Sequence, residues 1–129
     1  MKLKLFLIAG VASFALMAPL AAAHASSSGT KIEIQGSVGQ VVQDFQVYGT
    51  VSSGNHRCVA GRKVEILSLT PNGPKLIDRD RASDNGFFFG GGNFGHQVNG
   101  ARVKALRSVV GAHGHKHVCK ADTDTLPIA

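Results

Sequence analysis

From residue 26 onward, hydrophobic and polar residues alternate with a period of two rather than with the period of a helix. In one segment Ile32 and Ile34 share a face, and in another Val64 and Ile66 do so, each opposite polar neighbours. A period of two is typical of strands that bury one face. The alternation therefore predicts strands over residues 31–35, 44–52, 62–68 and 101–109.

Turn residues separate these alternating segments. Asn72-Gly73 lies between two prolines and Asn85-Gly86 precedes three phenylalanines, and Asn-Gly pairs favour hairpin turns that need a positive φ. The glycine-rich stretch 90–95 predicts a flexible loop. Short strands at this spacing predict an all-β fold, an antiparallel β-sandwich of about seven strands.

The first 25 residues have the organisation of a secretory signal peptide. A short positive region with two lysines precedes an apolar core over residues 5–20, and small residues follow it. This core is shorter than the roughly 20 residues of a membrane-spanning helix, and Pro19 interrupts it. We expect cleavage after Ala23 or Ala25, no transmembrane anchor in the mature chain, and a secreted or periplasmic location.

Composition places the chain among single-domain globular proteins. Its 129 residues are 43% hydrophobic and 17% charged, which excludes a disordered tail and a large multidomain enzyme. Loss of Lys2 and Lys4 with the signal peptide would lower the net charge from +6 to +4. A moderate positive charge favours anionic surfaces. An exported chain meets envelope polymers and lipid headgroups first, so we expect an envelope or extracellular partner and no nucleic acid.

Cys58 and Cys119 are the only two cysteines of the chain. In an oxidising compartment this pair predicts a disulfide, and the alternatives are a Cys–His metal site or a reactive thiol. The cysteines are 61 residues apart. A cross-link over that distance destabilises the unfolded chain by roughly 4 kcal/mol in a loop-closure account.

A histidine-rich segment precedes Cys119. In a regular strand His113, His115 and His117 would share one face, and imidazole suits Zn²⁺ and Cu²⁺. The same strand would bury two of these histidines together with the cysteine, and burial of unpartnered imidazoles is costly. We therefore predict an exposed loop over residues 111–117, followed by the last strand.

Three roles are open for this loop. A polar loop that happens to be rich in histidine needs no cofactor. The alternative is a Zn²⁺ or Cu²⁺ site formed by His113, His115 and His117, where Lys116 would add a repulsive charge. The third is a pH sensor, because imidazole titrates at about pH 6.5. Separately, cleavage that leaves His24 first would create an amino-terminal copper chelate.

Other groups of residues in the sequence predict neither calcium binding nor catalysis. Asp78, Asp80 and Asp84 lack the later ligands of a calcium loop, and arginines interleave with the first two, so we interpret them as solvated strand charges. The chain has no Gly-x-Ser-x-Gly elbow. Phenylalanines 87–89 are consecutive, so a regular strand would turn at least one ring outward. We predict no enzymatic activity.

Four short motifs stand out in the mature chain: residues 58–66 (CVAGRKVEI), 84–88 (DNGFF), 103–105 (VKA) and 119–121 (CKA). Together they resemble the transthyretin-like group of secreted sandwiches, which includes carboxypeptidase regulatory-like domains and small exported bacterial relatives. The resemblance spans about residues 46–121. It implies a transthyretin-like (prealbumin-like), Ig-like sandwich that serves as an accessory binding or structural module without catalytic residues.

These predictions divide the chain into a signal peptide (1–25), an extension with a first strand (26–43) and a transthyretin-like sandwich domain (44–129). The predicted function is that of an exported, non-enzymatic module that binds a ligand or has a structural role in the cell envelope. The alternative is a periplasmic or extracellular metal-binding protein that uses His113, His115 and His117.

Overall fold

The computed structural model describes residues 26–112 and 114–128. This part of the chain is all-β, as predicted, apart from a 3₁₀ turn at His56–Cys58. It holds no helix long and apolar enough to cross a membrane. Its ten strands are β1 (Ser26–Ser28), β2 (Thr30–Val38), β3 (Phe45–Ser53), β4 (Lys63–Thr70), β5 (Gly73–Arg81), β6 (Phe87–Gly92), β7 (Gly100–Ala105), β8 (Ser108–Ala112), β9 (His115–Cys119) and β10 (Asp122–Pro127).

Two antiparallel sheets face each other across one hydrophobic core. The four-stranded sheet has the order β10-β7-β4-β5, and the three-stranded sheet has the order β2-β3-β6. Alternation turns Val47 and Phe88 of one sheet toward Val64, Ile66 and Val103 of the other, and all five are fully buried. Burial of a side chain of this size contributes roughly 1.5–3 kcal/mol. The predicted antiparallel β-sandwich is confirmed.

The strand count is ten rather than about seven because a third sheet adds three strands to the facing pair. Its order is β1-β9-β8, with β1 parallel to β9 and β9 antiparallel to β8. The segment 26–43 holds both β1 and β2, and β2 supplies Ile32 to the core.

Both Asn-Gly pairs lie at turns, as predicted. Gly73 and Gly86 have φ values of 110° and 86°, which residues with a side chain rarely adopt. The first glycine begins β5 after the turn from β4, and the second immediately precedes β6. The positions of these two turns are therefore confirmed.

Two aspartates of β5 join the facing sheets along one edge. The Asp80 carboxylate accepts a hydrogen bond from the Phe89 amide at 2.9 Å, and the Asp78 carboxylate accepts one from the Gly91 amide at 3.0 Å. The interpretation of these two carboxylates as solvated strand charges is wrong. Both residues are half-buried, because alternation along β5 directs them to backbone donors at the edge of the opposite sheet.

Two aspartates of β10 join the facing sheets along the other edge. Asp122 accepts a hydrogen bond from the Ile32 amide at 2.9 Å, and Asp124 accepts one from the Ile34 amide at 2.8 Å. Strands β2 and β6 are the two edges of the three-stranded sheet. The carboxylates thus accept hydrogen bonds from amides of these edge strands, which would otherwise be available to pair with a strand of another chain.

The first half of the glycine-rich stretch is strand rather than the predicted flexible loop. β6 runs to Gly92 and pairs with β3. A Cβ atom at Gly90 would lie 2.5 Å from Cδ1 of Ile66 and 2.8 Å from a carboxylate oxygen of Asp78. Only a hydrogen atom fits there, so glycine allows this close approach of the two sheets.

Candidate functional site

The predicted disulfide between Cys58 and Cys119 is confirmed. Cys58 ends the 3₁₀ turn and Cys119 ends β9, their Cα atoms are 5.4 Å apart, and neither residue is exposed. The bond connects the segment before β4 to the third sheet. Because both sulfur atoms are used in this bond, neither cysteine is a thiol nucleophile or a thiolate metal ligand.

A buried arginine lies beside the disulfide. Arg62 is only 4% exposed, and its guanidinium donates five hydrogen bonds to neutral oxygens. The acceptors are Leu106 O (2.8 Å), Thr30 Oγ1 (3.0 Å), Cys58 O (2.9 Å), Lys120 O (2.6 Å) and Cys119 O (3.4 Å). Desolvation by burial lowers the pKa of the Arg62 guanidinium from its ordinary value. We call this residue and its five acceptors the Arg62 network.

Arg62 is not among the predicted site residues, although the sequence contains a signal for it. Arg62 continues the inward alternation of Val64 and Ile66 by one step, so it occupies a core-facing position. Charged residues are rarely buried without hydrogen-bond partners. Ser68 continues the same face at the other end, where its buried hydroxyl has no hydrogen-bond partner among the described residues.

Arg62 also lines a cavity of about 400 Å³. Four further cationic side chains line it: Arg57 of the 3₁₀ turn, Lys63 at the start of β4, Arg81 at the end of β5 and Arg107 between β7 and β8. We call the site of these four residues the basic cleft. In the described part of the chain no acidic side chain lines it. Cations gathered in a partly enclosed site focus a positive potential there.

Strand register brings two of these cations opposite each other. Lys63 pairs with Arg81 across β4 and β5, and both side chains are exposed. Nη1 of Arg81 donates to the Gly61 carbonyl at 3.2 Å, which leaves the other guanidinium donors available. Like charges opposite each other on neighbouring strands destabilise the pair. The fold therefore retains an unfavourable charge arrangement at this site.

A larger cavity of about 710 Å³ adjoins the basic cleft and shares two of its cations. Glu65 and Asp80 line this cavity, but each carboxylate has a partner of its own. Glu65 Oε2 lies 3.6 Å from Nε of Arg79, and Asp80 accepts the β6 amide described above. These acids are therefore already used in local contacts.

The histidine-rich segment forms a hairpin, so the predicted exposed loop over residues 111–117 is wrong. β9 has a strand partner on each side, β8 and β1, and this pairing stabilises an extended backbone. The expected burial conflict does not arise because exposure falls along the strand. His115 is exposed, His117 is half-buried and Cys119 is fully buried.

Two serine hydroxyls of β1 hold the imidazole of His117. Nδ1 lies 2.7 Å from Oγ of Ser26, and Nε2 lies 2.8 Å from Oγ of Ser28. Both ring nitrogens therefore have hydrogen-bond partners. A metal ion would have to displace one of these serines, because a ligating imidazole gives one nitrogen to the metal.

The predicted metal ligands are only partly within the described structure. His115 and His117 lie two residues apart on β9, whereas His113 and His24 lie outside the described residues. Within residues 26–112 and 114–128, no group of three or more histidine, cysteine, aspartate or glutamate side chains is placed to hold a metal ion. The site formed by His113, His115 and His117 stays a prediction.

The three consecutive phenylalanines of β6 divide between the two faces of the strand. Phe88 is fully buried in the core, whereas Phe87 and Phe89 are each 45% exposed. The expectation of at least one outward ring is confirmed. Tyr48 of β3 pairs with Phe89, so these residues form a small aromatic strip on the outer face of the sheet.

In comparisons with protein-family models, with curated proteins and with solved structures, nothing matches this chain. The resemblance to the transthyretin-like group stays a prediction from short motifs.

Proposed function

We propose that this protein is an exported, non-enzymatic β-sandwich module that binds a ligand in the cell envelope or outside the cell. The observation that carries the proposal is the basic cleft, which gathers four cations beside the Cys58–Cys119 disulfide. A buried disulfide favours an oxidising compartment. This agrees with the signal peptide predicted for the first 25 residues.

The backbone around the four cations of the basic cleft supports a binding role, because each cation is adjacent to the Arg62 network. Arg57 and Lys63 are the sequence neighbours of Cys58 and Arg62. Arg107 follows Leu106, whose carbonyl accepts a hydrogen bond from Arg62. The remaining cation, Arg81, donates to the carbonyl of Gly61, the residue before Arg62. Side chains held on a fixed backbone lose less entropy when a ligand binds.

The absence of enzymatic activity is part of the proposal and has two supports. Both cysteines are in the disulfide, which leaves no thiol for covalent catalysis. The serine–histidine contact at His117 has a serine on each ring nitrogen. A catalytic serine–histidine pair instead needs an acceptor that orients the imidazole as a base.

Export is tested by expressing the full chain from Met1, fractionating the cells, and measuring the intact mass and maleimide labelling without reductant. We expect a mature chain that begins at Ser26 or His24, lacks two hydrogen atoms and takes no label. A matched variant, Ala23→Arg with Ala25→Arg, should accumulate uncleaved because small residues are required at the cleavage site. A full-length cytosolic chain with two labelled cysteines would contradict the proposal.

A metal-binding role is the second candidate, favoured by the placement of His115 and His117 on one face of β9. Zn²⁺ and Cu²⁺ titrations of the untagged protein test it, with His115→Ala as the variant and exposed His96→Ala as the matched control. Stoichiometric binding that only His115→Ala removes would establish this role. Binding that neither variant changes would assign the metal to another place.

A further inference from the structure

We infer that the basic cleft binds a phosphate group, either on a small soluble molecule or on a lipid headgroup. This inference rests on the proposed binding role and specifies its ligand class. Arg57, Lys63, Arg81 and Arg107 come from four different parts of the chain and converge on one cavity. Its volume of about 400 Å³ suits a small ligand.

The charge balance of the site points to an anion with more than one negative charge. In the described residues only two ion pairs form, Lys31 with Glu33 and Arg79 with Glu65, and neither includes a cation of the cleft. The Arg62 guanidinium nearby is neutralised by no carboxylate, since its five acceptors are carbonyl and hydroxyl oxygens. Among the described residues, the cations of the cleft therefore have no carboxylate in an ion pair with them.

The kinds of side chain favour phosphate over a simple carboxylate. Three of the four cations are arginines, whose planar forks donate paired hydrogen bonds to oxyanions. A carboxylate offers two oxygens, whereas a terminal phosphate offers three and carries nearly two charges near neutral pH. Several guanidinium groups that approach from different strands and turns are better satisfied by the three oxygens of a phosphate.

The opposed pair Lys63 and Arg81 gives independent support. Like charges on directly paired strand positions lower stability. A bound phosphate between them would replace repulsion with attraction, so ligand binding and folding stability should be linked. The unfavourable arrangement in the free protein then has a physical reason in the bound state.

The direct test is calorimetric titration of the purified, oxidised mature protein with pyrophosphate, inorganic phosphate and acetate at constant low ionic strength. We expect one site per chain, with pyrophosphate binding tighter than phosphate. Acetate should bind at least about tenfold more weakly than phosphate because it loses one charge-assisted contact. Added salt should weaken binding, since the cations are exposed to screening.

Variants locate the binding. Lys63→Gln, Arg81→Gln and Arg107→Gln should each lower the affinity for pyrophosphate by about tenfold or more. The matched control is Lys75→Gln, an exposed lysine near the start of β5 that does not line the cleft, and it should leave the affinity unchanged. Without ligand, Lys63→Gln should unfold at the same or a higher temperature, because the opposed pair is removed. With that result, a loss of binding in Lys63→Gln cannot be attributed to unfolding.

Binding to lipid vesicles distinguishes a lipid headgroup from a soluble phosphate as the ligand. Sedimentation with phosphatidylcholine vesicles that contain phosphatidic acid, competed by pyrophosphate, indicates a headgroup; titration of soluble phosphates without sedimentation indicates a free ligand. No heat together with no rise in unfolding temperature for any phosphate, or equal losses in Lys75→Gln and the cleft variants, would overturn the inference. Binding that persists in a chain found to be cytosolic would instead refute export and leave the phosphate site intact.

Discussion

The lateral edges of the sandwich and the basic cleft use charged side chains in opposite ways. At the edges, carboxylates such as Asp78 and Asp124 accept hydrogen bonds from backbone amides of the facing sheet. In the cleft, exposed cations such as Lys63 and Arg107 lie around a cavity, and no acidic side chain of the described residues lines it. The edge carboxylates connect the two facing sheets. The cations of the cleft form no ion pair among the described residues.

The difference indicates that hydrogen-bond satisfaction, rather than charge alone, separates the structural charges from those that we propose for binding. Arg62 lines the cleft, but its role is structural like that of the edge aspartates, because its five hydrogen bonds are made within the protein. Its neighbour Lys63 is one of the charges that we propose for binding, since it pairs across the strands with another cation. Substitutions at the two kinds of position should therefore change different quantities.

The largest effect on stability should come from removing the disulfide, which connects the segment before β4 to the third sheet. Cys58→Ala with Cys119→Ala should lower the free energy of unfolding by about 4 kcal/mol, because the cross-link spans 61 residues. Urea denaturation measures this loss. Reduction of the unmutated protein is the control and should produce a similar loss; two coincident unfolding curves for oxidised and reduced protein would contradict the prediction.

Arg62→Met should have the next largest effect, about 3 kcal/mol of lost stability. The substitution keeps an unbranched side chain but leaves several buried or half-buried acceptors without their charged donor. The control Arg79→Met removes an exposed arginine in a surface ion pair and should cost at most about 1 kcal/mol. Equal midpoints in urea for the two variants would show that the Arg62 network is not structural.

Loss of one edge aspartate should cost about 1.5–3 kcal/mol, the contribution of a hydrogen bond to a charged group. Asp124→Ala should also accelerate hydrogen exchange at the Ile34 amide, which loses its acceptor. Asp84→Ala, at an exposed turn residue, should change stability by no more than about 0.5 kcal/mol. Unchanged exchange at Ile34 would disprove the hydrogen bond between the Ile34 amide and Asp124.

The smallest effect should be a gain in stability. Ser68 is fully buried, and its hydroxyl has no partner among the described residues, so Ser68→Ala removes a desolvated polar group. The free energy of unfolding should rise by up to about 1 kcal/mol. Exposed Ser37→Ala should be neutral. A loss of stability in Ser68→Ala would indicate that this hydroxyl does have an acceptor.

The parts of the fold that were predictable rest on local signals. Period-two alternation at Ile32 and Ile34 or at Val64 and Ile66 follows from one-sided burial, and each segment lies in a strand. The disulfide followed from two cysteines and a predicted export signal. Neither inference needed knowledge of which strands are neighbours.

The parts that were not predictable depend on distant partners. Gly90 is in a strand because it pairs with Val47 of β3, and Asp78 and Ile66 of another sheet leave no room for a side chain there. β9 is extended because β1, at the other end of the described chain, pairs with it. The basic cleft likewise joins residues from 57 to 107. Such sites appear only when the topology is known.

Charges at the edges stabilise the fold, whereas we propose that the charges of the cleft bind a phosphate group. Thermal unfolding with and without saturating pyrophosphate, measured for Asp124→Ala and Arg107→Gln, tests this distinction most directly. We predict that Asp124→Ala unfolds at a lower temperature but keeps the ligand-induced rise. Arg107→Gln should unfold like the unmutated protein and lose that rise. The reverse pattern, or the same response in both variants, would contradict the account.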